Sequence, residues 1–291
     1  TTGGFKHTWI FHNQTKQNDV ALSSDLYGLK SDYPYPFNMP ASLALPVSMK
    51  LQFGLHKPTT LLASLSNRIN AALVFHVDQS DNAHFYSGLV RIGGGDVLPQ
   101  SNPGFVLDGY IPSFNWPDWY RAVKPWLVND GDNEQFKLSL SKMLRYVDLK
   151  FGAFNAFGFH LGKTNFKLSF ADQKWYASLF SQPLYGFVSV PFDFPKNYDV
   201  SGQFQRIILP KFKSLSSSDM KTRFDPSVIP ALNLTVNSLQ YDHLNLGKVT
   251  LQSTPIDHGI RIHKLLTASP LLGVDITGFW QHAKYQDHSR I

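Results

Sequence analysis

Apolar and polar residues alternate along much of the chain. Phe136, Leu138 and Leu140 are separated by Lys137 and Ser139; Phe157, Phe159 and Leu161 by Gly158 and His160; Phe166, Leu168 and Phe170 by Lys167 and Ser169. The pattern returns in Leu232, Leu234 and Val236, in Val249 and Leu251, in Ile260 and Ile262, and in Val274 and Ile276. A period of two sends successive side chains to opposite faces of a strand, so each run predicts a strand with one apolar face. Turn formers punctuate the runs: Gly162-Lys163-Thr164-Asn165, Ala171-Asp172-Gln173 and Asp257-His258-Gly259. The short spacing predicts antiparallel neighbours joined by hairpins. Parallel pairing calls for helical crossovers, for which the pattern leaves little room.

Few helices are expected. Asn115-Trp116-Pro117-Asp118 opens a short one near 116–127: Asn115 suits the cap, Pro117 is tolerated in the first turn, and Pro125 limits the length. A second helical turn is expected near Ser217-Ser218-Asp219-Met220. The polar, Ser-rich stretch from Ser214 to Asp219 reads as a loop or boundary. Tyr33-Pro34-Tyr35-Pro36-Phe37 cannot be a central strand. The predicted division is 1–213 and 214–291, or one continuous sheet through both.

Composition sharpens this. Hydrophobic residues make up 43% and charged residues 16%, with 23 Phe and Glu134 as the sole Glu. The charged share lies well below the roughly 25% of an average domain, which argues against disorder and for strands. The net charge of +6 suits anionic partners. Lys and Arg are spread out, however, with Lys211-Phe212-Lys213 the nearest thing to a cluster, so no nucleic acid is expected. The absence of Cys excludes disulfides and thiol chemistry. No apolar run is long enough for a membrane helix. Thr1-Thr2-Gly3-Gly4 reads like a fragment boundary, with any anchor or export signal expected upstream.

Candidate chemistry is thin. No G-x-S-x-G elbow, H-E-x-x-H pair or EF-hand loop occurs. His243, His258 and His263 sit among strand and turn residues. Asp108, Asp118, Asp193, Asp225 and Asp275 suit turns and caps better than a carboxylate pair. Gly93-Gly94-Gly95 lacks the Lys-Ser/Thr of a phosphate loop and reads as a turn. Asn13-Gln14-Thr15 and Asn233-Leu234-Thr235 match glycosylation acceptors, the second inside a predicted strand. The expectation is a protein that is not an enzyme and uses no metal or cofactor. What stands out is the apolar face. Taken alone, the pattern favours the packed core of a sandwich or barrel; the other way to satisfy it is an open, curved sheet that holds acyl chains.

Three ordered segments carry a family resemblance. Ser23-Ser24-Asp25-Leu26-Tyr27-Gly28-Leu29, followed by Tyr33-Pro34-Tyr35-Pro36-Phe37-Asn38, resembles the S-D-L-x-G and P-x-P segment of the YhdP family, in the AsmA-like group of Gram-negative envelope proteins. Leu98-Pro99 through Pro103-Gly104-Phe105-Val106-Leu107-Asp108-Gly109, with Trp116 to Trp119, is similar to its G-L-x-L-x-G and W segment. Leu232-Asn233-Leu234, Leu244-Asn245-Leu246-Gly247-Lys248-Val249, Gly259-Ile260-Arg261-Ile262 and Gly278-Phe279-Trp280 resemble its late strand repeat. Asn38 departs from an expected Lys, and 193–221 match nothing in the family pattern.

The resemblance implies an all-β fold with one or two short helices: a twisted antiparallel sheet curled into an elongated hydrophobic groove. It also implies a periplasmic body anchored upstream in the inner membrane. The implied function is phospholipid transport between the membranes, affecting outer-membrane permeability, with acyl chains as the partner and no catalytic residues. The expected groove residues are the alternating apolar ones named above. The alternatives are an assembly module for outer-membrane biogenesis and a carbohydrate-active β enzyme.

Overall fold

The computed structural model describes residues 6–12, 17–54, 57–78, 82–127, 143–156, 159–192, 199–209, 226, 229–269 and 273–281. Among them are sixteen strands and one short helix, an all-β architecture. Two compact units divide between Lys163 and Thr164. The first holds β1 (Lys6–His12), β2 (Gln17–Ser24), β3 (Val47–Gly54), β4 (Lys57–Leu65), β5 (Ile69–Val77), β6 (Ala83–Ile92), β7 (Gly104–Asn115), α1 (Trp116–Leu127), β8 (Leu144–Ala156) and the start of β9 (Phe159–Ala171). The second holds the rest of β9, β10 (Lys174–Phe180), β11 (Leu184–Pro191), β12 (Asp199–Leu209), β13 (Ala231–Tyr241), β14 (Leu244–Ile256), β15 (Gly259–Ala268) and β16 (Gly273–Gln281). The break at 213/214 and the turn at 217–220 fall outside the described residues; the division between the units lies far upstream of that break, inside β9.

Within each unit the strands lie side by side in chain order. Most neighbours are antiparallel, and their turns form where residues accept a left-handed backbone. Asp172 and Gln173 (φ 50° and 60°) turn β9 into β10, and His258 (φ 62°) turns β14 into β15. Gly162-Lys163-Thr164-Asn165 is not a turn. β9 runs through it, with Gly162 at φ 63°, a conformation that lets a strand bend without ending.

The expectation of purely antiparallel pairing is corrected at three places: β6–β7, β7–β8 and β12–β13 are parallel. Each follows a long connection. That from β7 to β8 contains α1, as a helical crossover would, but that from β6 to β7, residues 93–103, contains no helix. A strand can return beside its predecessor by any connection whose backbone polar groups find partners.

Residues 93–103 form a strap, and the sheet supplies those partners. Gly93, Gly94 and Gly95 all adopt positive φ (87°, 94° and 92°) and turn the chain back. Asn70 Nδ2 then donates to the Gly95 carbonyl (2.9 Å), Arg91 Nη1 to Asp96 (2.9 Å), Ser87 Oγ to Gln100 (2.6 Å) and Tyr86 OH to Ser101 (2.9 Å). Arg91 also forks onto Asp108 of β7 through Nε and Nη2 (2.8 and 2.7 Å). This hydrogen-bonded carboxylate raises the Arg91 pKa above its ordinary value, against the opposing effect of partial burial. The strapped face contributes Ala72, Val74, Leu89 and Val106, all buried, and Ser87 at 0% exposure; Ile111, Val147, Leu149 and Phe151 are buried on the other face.

At the β7–α1 junction Asn115 Nδ2 donates to Asp118 Oδ2 (2.7 Å). Trp119 stacks on Phe114 (6.1 Å between centroids) and meets Phe37 edge-on (6.3 Å). These contacts tie α1 to the irregular 25–46 segment, which Arg68 also holds by donating to the Asn38 carbonyl (2.7 Å).

Candidate functional site: an apolar sheet face

Register decides which side chains share a face, because directly paired residues project to the same side of a sheet. In the second unit one cross-strand row reads Leu168, Ala177, Val188, Gly202, Leu234, Leu251, Leu265 and Ile276. The row beside it reads Phe166, Leu179, Gly186, Phe204, Val236, Val249, Thr267 and Val274. Phe170, Trp175 and Val190 begin a third, and Val200, Leu232, Ser253 and Ile262 continue along the same face. The opposite face is mostly polar: the row there reads Lys167, Ser178, Phe187, Gln203, Thr235, Thr250, Leu266 and Asp275. Bulges at Tyr185/Gly186, Val236/Leu239, Gln252/Ser253 and Ile262/Leu265 keep the apolar side chains in phase; bulges also raise local twist and bend a sheet.

Twelve of the sequence-predicted residues therefore share one face: Phe166, Leu168, Phe170, Leu232, Leu234, Val236, Val249, Leu251, Ile260, Ile262, Val274 and Ile276. Val236, Val249 and Ile260 are buried; the other nine are half-buried. Among the described residues, the strands of this unit follow one another side by side in a single sheet, each beside its hydrogen-bonded neighbour. The packed sandwich that the pattern alone favours is not what forms. The face is filled sideways instead: a Cβ on Gly202 would come within 2.8 Å of Leu234 Cδ2, so the leucine already lies over the glycine. Phe159 and Leu161 precede Gly162 in the first unit, half-buried and buried respectively. Phe136, Leu138, Leu140 and Phe157 lie outside the described residues.

Sequence reasoning missed Trp175, Ala177, Leu179, Val188, Val190, Phe204 and Leu265 on this face. It also missed a matching face in the first unit, where Leu51, Leu61 and Leu73 pair in one row and Met49, Ala63, Ala71, Val90, Leu107 and Val147 in the next. Val47, Met49 and Leu51 do alternate with Ser48, Lys50 and Gln52, a signal that could have found β3. β5 gave none, because Ala72 and Val74 make its strapped face apolar as well. The first unit's face is most open at Leu22 and Met49, which pair across β2–β3 and are 42% and 40% exposed.

The Asp and His residues weighed as candidate chemistry lie in separate parts of the described structure. Asp108 and Asp148 are register partners lining a cleft with Tyr110, Tyr146 and Lys150, but both Asp108 oxygens accept from Arg91. Asp118 sits in the first turn of α1 and Asp275 in β16; Asp193 and Asp225 lie outside the described residues. His243 contacts Asp242 in the β13–β14 turn (3.3 Å), His258 sits in the β14–β15 turn, and His263 bonds Thr254 (2.8 Å). Among the described residues no three potential metal ligands cluster, and no helix is long and apolar enough to cross a membrane.

The family model described as YhdP protein matches residues 6–291. No curated protein and no solved structure matches the chain.

Proposed function

Because the chain belongs to the YhdP family of AsmA-like envelope proteins, we propose that it binds phospholipid acyl chains on its apolar sheet faces. On this reading it carries phospholipid between the inner and outer membranes of a Gram-negative envelope and so affects outer-membrane permeability. It works in the periplasm as part of an inner-membrane-anchored protein, without catalysis or cofactor. The observation that carries the reading is the convergence of twelve alternating apolar residues from five strands on one face, nine of them left half-buried.

The physical case is simple. Each CH₂ withdrawn from water contributes about 0.8 kcal/mol. A surface of Phe, Leu, Ile and Val supplies that gain along a whole chain without recognising a particular tail. Half-buried side chains already held by their neighbours lose little further conformational freedom when a chain is laid on them. Protein purified without detergent should therefore carry phospholipid, detected by mass spectrometry of an organic extract. Repeated recovery of lipid-free protein that also takes up none from vesicles would refute the reading.

A further inference from the structure

One polar atom interrupts the apolar face of the second unit without being used by the fold. Ser253 is 3% exposed, and its Oγ is buried with no hydrogen-bond partner. Register places it between Leu232 of β13 and Ile262 of β15, on the apolar side. It stands where the β14–β15 register slips, between Gln252 and Ser253. The other hydroxyl in the rows described, Thr267, is satisfied: its Oγ1 accepts from the Val274 N–H (3.1 Å). A buried hydroxyl left unpaired costs about 1–3 kcal/mol, whereas an alanine in its place would cost nothing of the kind. The cross-strand neighbours of Ser253, Leu232 and Ile262, are half-buried side chains on the same face.

We propose that Ser253 donates a hydrogen bond to a carbonyl-type oxygen of a bound long-chain amphiphile, and so fixes where along the face the polar end of its hydrocarbon chain stops. The inference rests on the lipid reading above and adds what that reading lacks: a feature that distinguishes an acyl ester from plain hydrocarbon. Val, Leu and Ile offer no donor, so they bind both alike. A donor in an otherwise apolar site rewards the ligand that supplies an acceptor there and leaves its own cost standing for one that does not. A diacyl phospholipid and a single-chain ester both supply such an acceptor, and the chemistry at Ser253 is the same for either.

The test is displacement of the fluorescent apolar probe N-phenyl-1-naphthylamine by hexadecane, by methyl hexadecanoate and by phosphatidylcholine, using the whole chain and its S253A and S253T variants. The wild type should prefer the methyl ester to hexadecane. S253A should lose about fivefold in affinity for the ester, the scale of one neutral hydrogen bond, with hexadecane unchanged. S253T, which keeps a hydroxyl, should restore the preference. Unchanged hexadecane binding also shows that the variants are folded. Loss for both the ester and phosphatidylcholine assigns the site to phospholipid; loss for the methyl ester alone assigns it to single-chain esters. If S253A leaves the ester-to-hexadecane ratio where it was, the proposal is overturned while the lipid reading stands. If no ligand displaces the probe from the wild type, both fall.

Discussion

The two units present the same kind of apolar face and differ in what lies behind it. Behind the first is the strap: side chains from β5 and β6 grip its carbonyls, and Ala72, Val74, Leu89 and Val106 are sealed on that side. Behind the second is a mostly polar face of Lys, Ser, Gln and Thr, with Phe187 and Leu266 among them. The first unit thus has a buried layer of its own. The second leaves most of its apolar residues half-covered, held in place by their lateral neighbours. In the first unit burial is divided between the strapped side and the β7–β8 part of the other face, where Ile111, Val147, Leu149 and Phe151 are buried. In the second, most of the apolar side chains lie together on the half-buried face, and whatever covers that face should also stabilise it.

The sharpest way to break this contrast is to dislodge the strap's frame. Gly109 of β7 lies at φ 126°, and a Cβ there would come within 2.0 Å of the Ile92 carbonyl oxygen. Gly109→Ala combines a strained backbone with a clash against backbone, which together cost about 3–5 kcal/mol. Hydrogen exchange should speed up across β5 to β8. Unaltered protection there would mean that the parallel β6–β7 pairing does not hold the first unit together.

Arg91→Ala comes next. It removes the fork onto Asp108 and the bond to the Asp96 carbonyl together, and should destabilise the first unit by about 2–3 kcal/mol in chemical denaturation. Arg91→Lys should recover little, since an ammonium cannot span both carboxylate oxygens. The pH dependence has a definite sign. A basic group whose folded pKa is raised contributes in full below its unfolded pKa and loses that contribution only as pH rises through the folded value. For Arg91 both lie above the working range, so its titration should leave the difference between wild type and variant level from about pH 6 to about pH 9.

Much of this architecture can be read in the chain. The alternating residues of β13 to β16, and those of β9 after its bend, lie on one face as their spacing requires, and α1 begins after Asn115 with Pro117 in its first turn. The strap could not be read, because its evidence is distributed. Asn70, Ser87 and Arg91 look like solvent-facing polar positions, and only the fold shows that each donates to a carbonyl of 93–103. The three glycines that open the strap are legible as a turn but carry no sign that it returns in parallel. Gly162-Lys163-Thr164-Asn165 misleads for a related reason: glycine marks a departure from regular backbone, and a bend within a strand uses the same residue as a hairpin. Ser253 hides in its own way, since no local pattern separates a satisfied serine from an orphaned one.

The smallest effect isolates the contrast best. Leu89 and Leu251 are both strand leucines, but Leu89 is buried on the strapped face and Leu251 is half-buried on the open face of the second unit. Truncation to alanine at a sealed site costs about 2–5 kcal/mol, because it removes transfer energy and leaves a cavity. At Leu251 the side chain is already partly in water and the space left behind opens outward, so the cost in lipid-free protein should be nearer 1 kcal/mol. Added phospholipid should widen that gap for Leu251→Ala, since the chain laid over the face loses a partner, and should leave the cost of Leu89→Ala where it was. Melting both variants with and without lipid reads the two responses. A lipid-dependent loss at Leu89, or none at Leu251, would mean that the ligand sits on the strapped side and that the open face has another use.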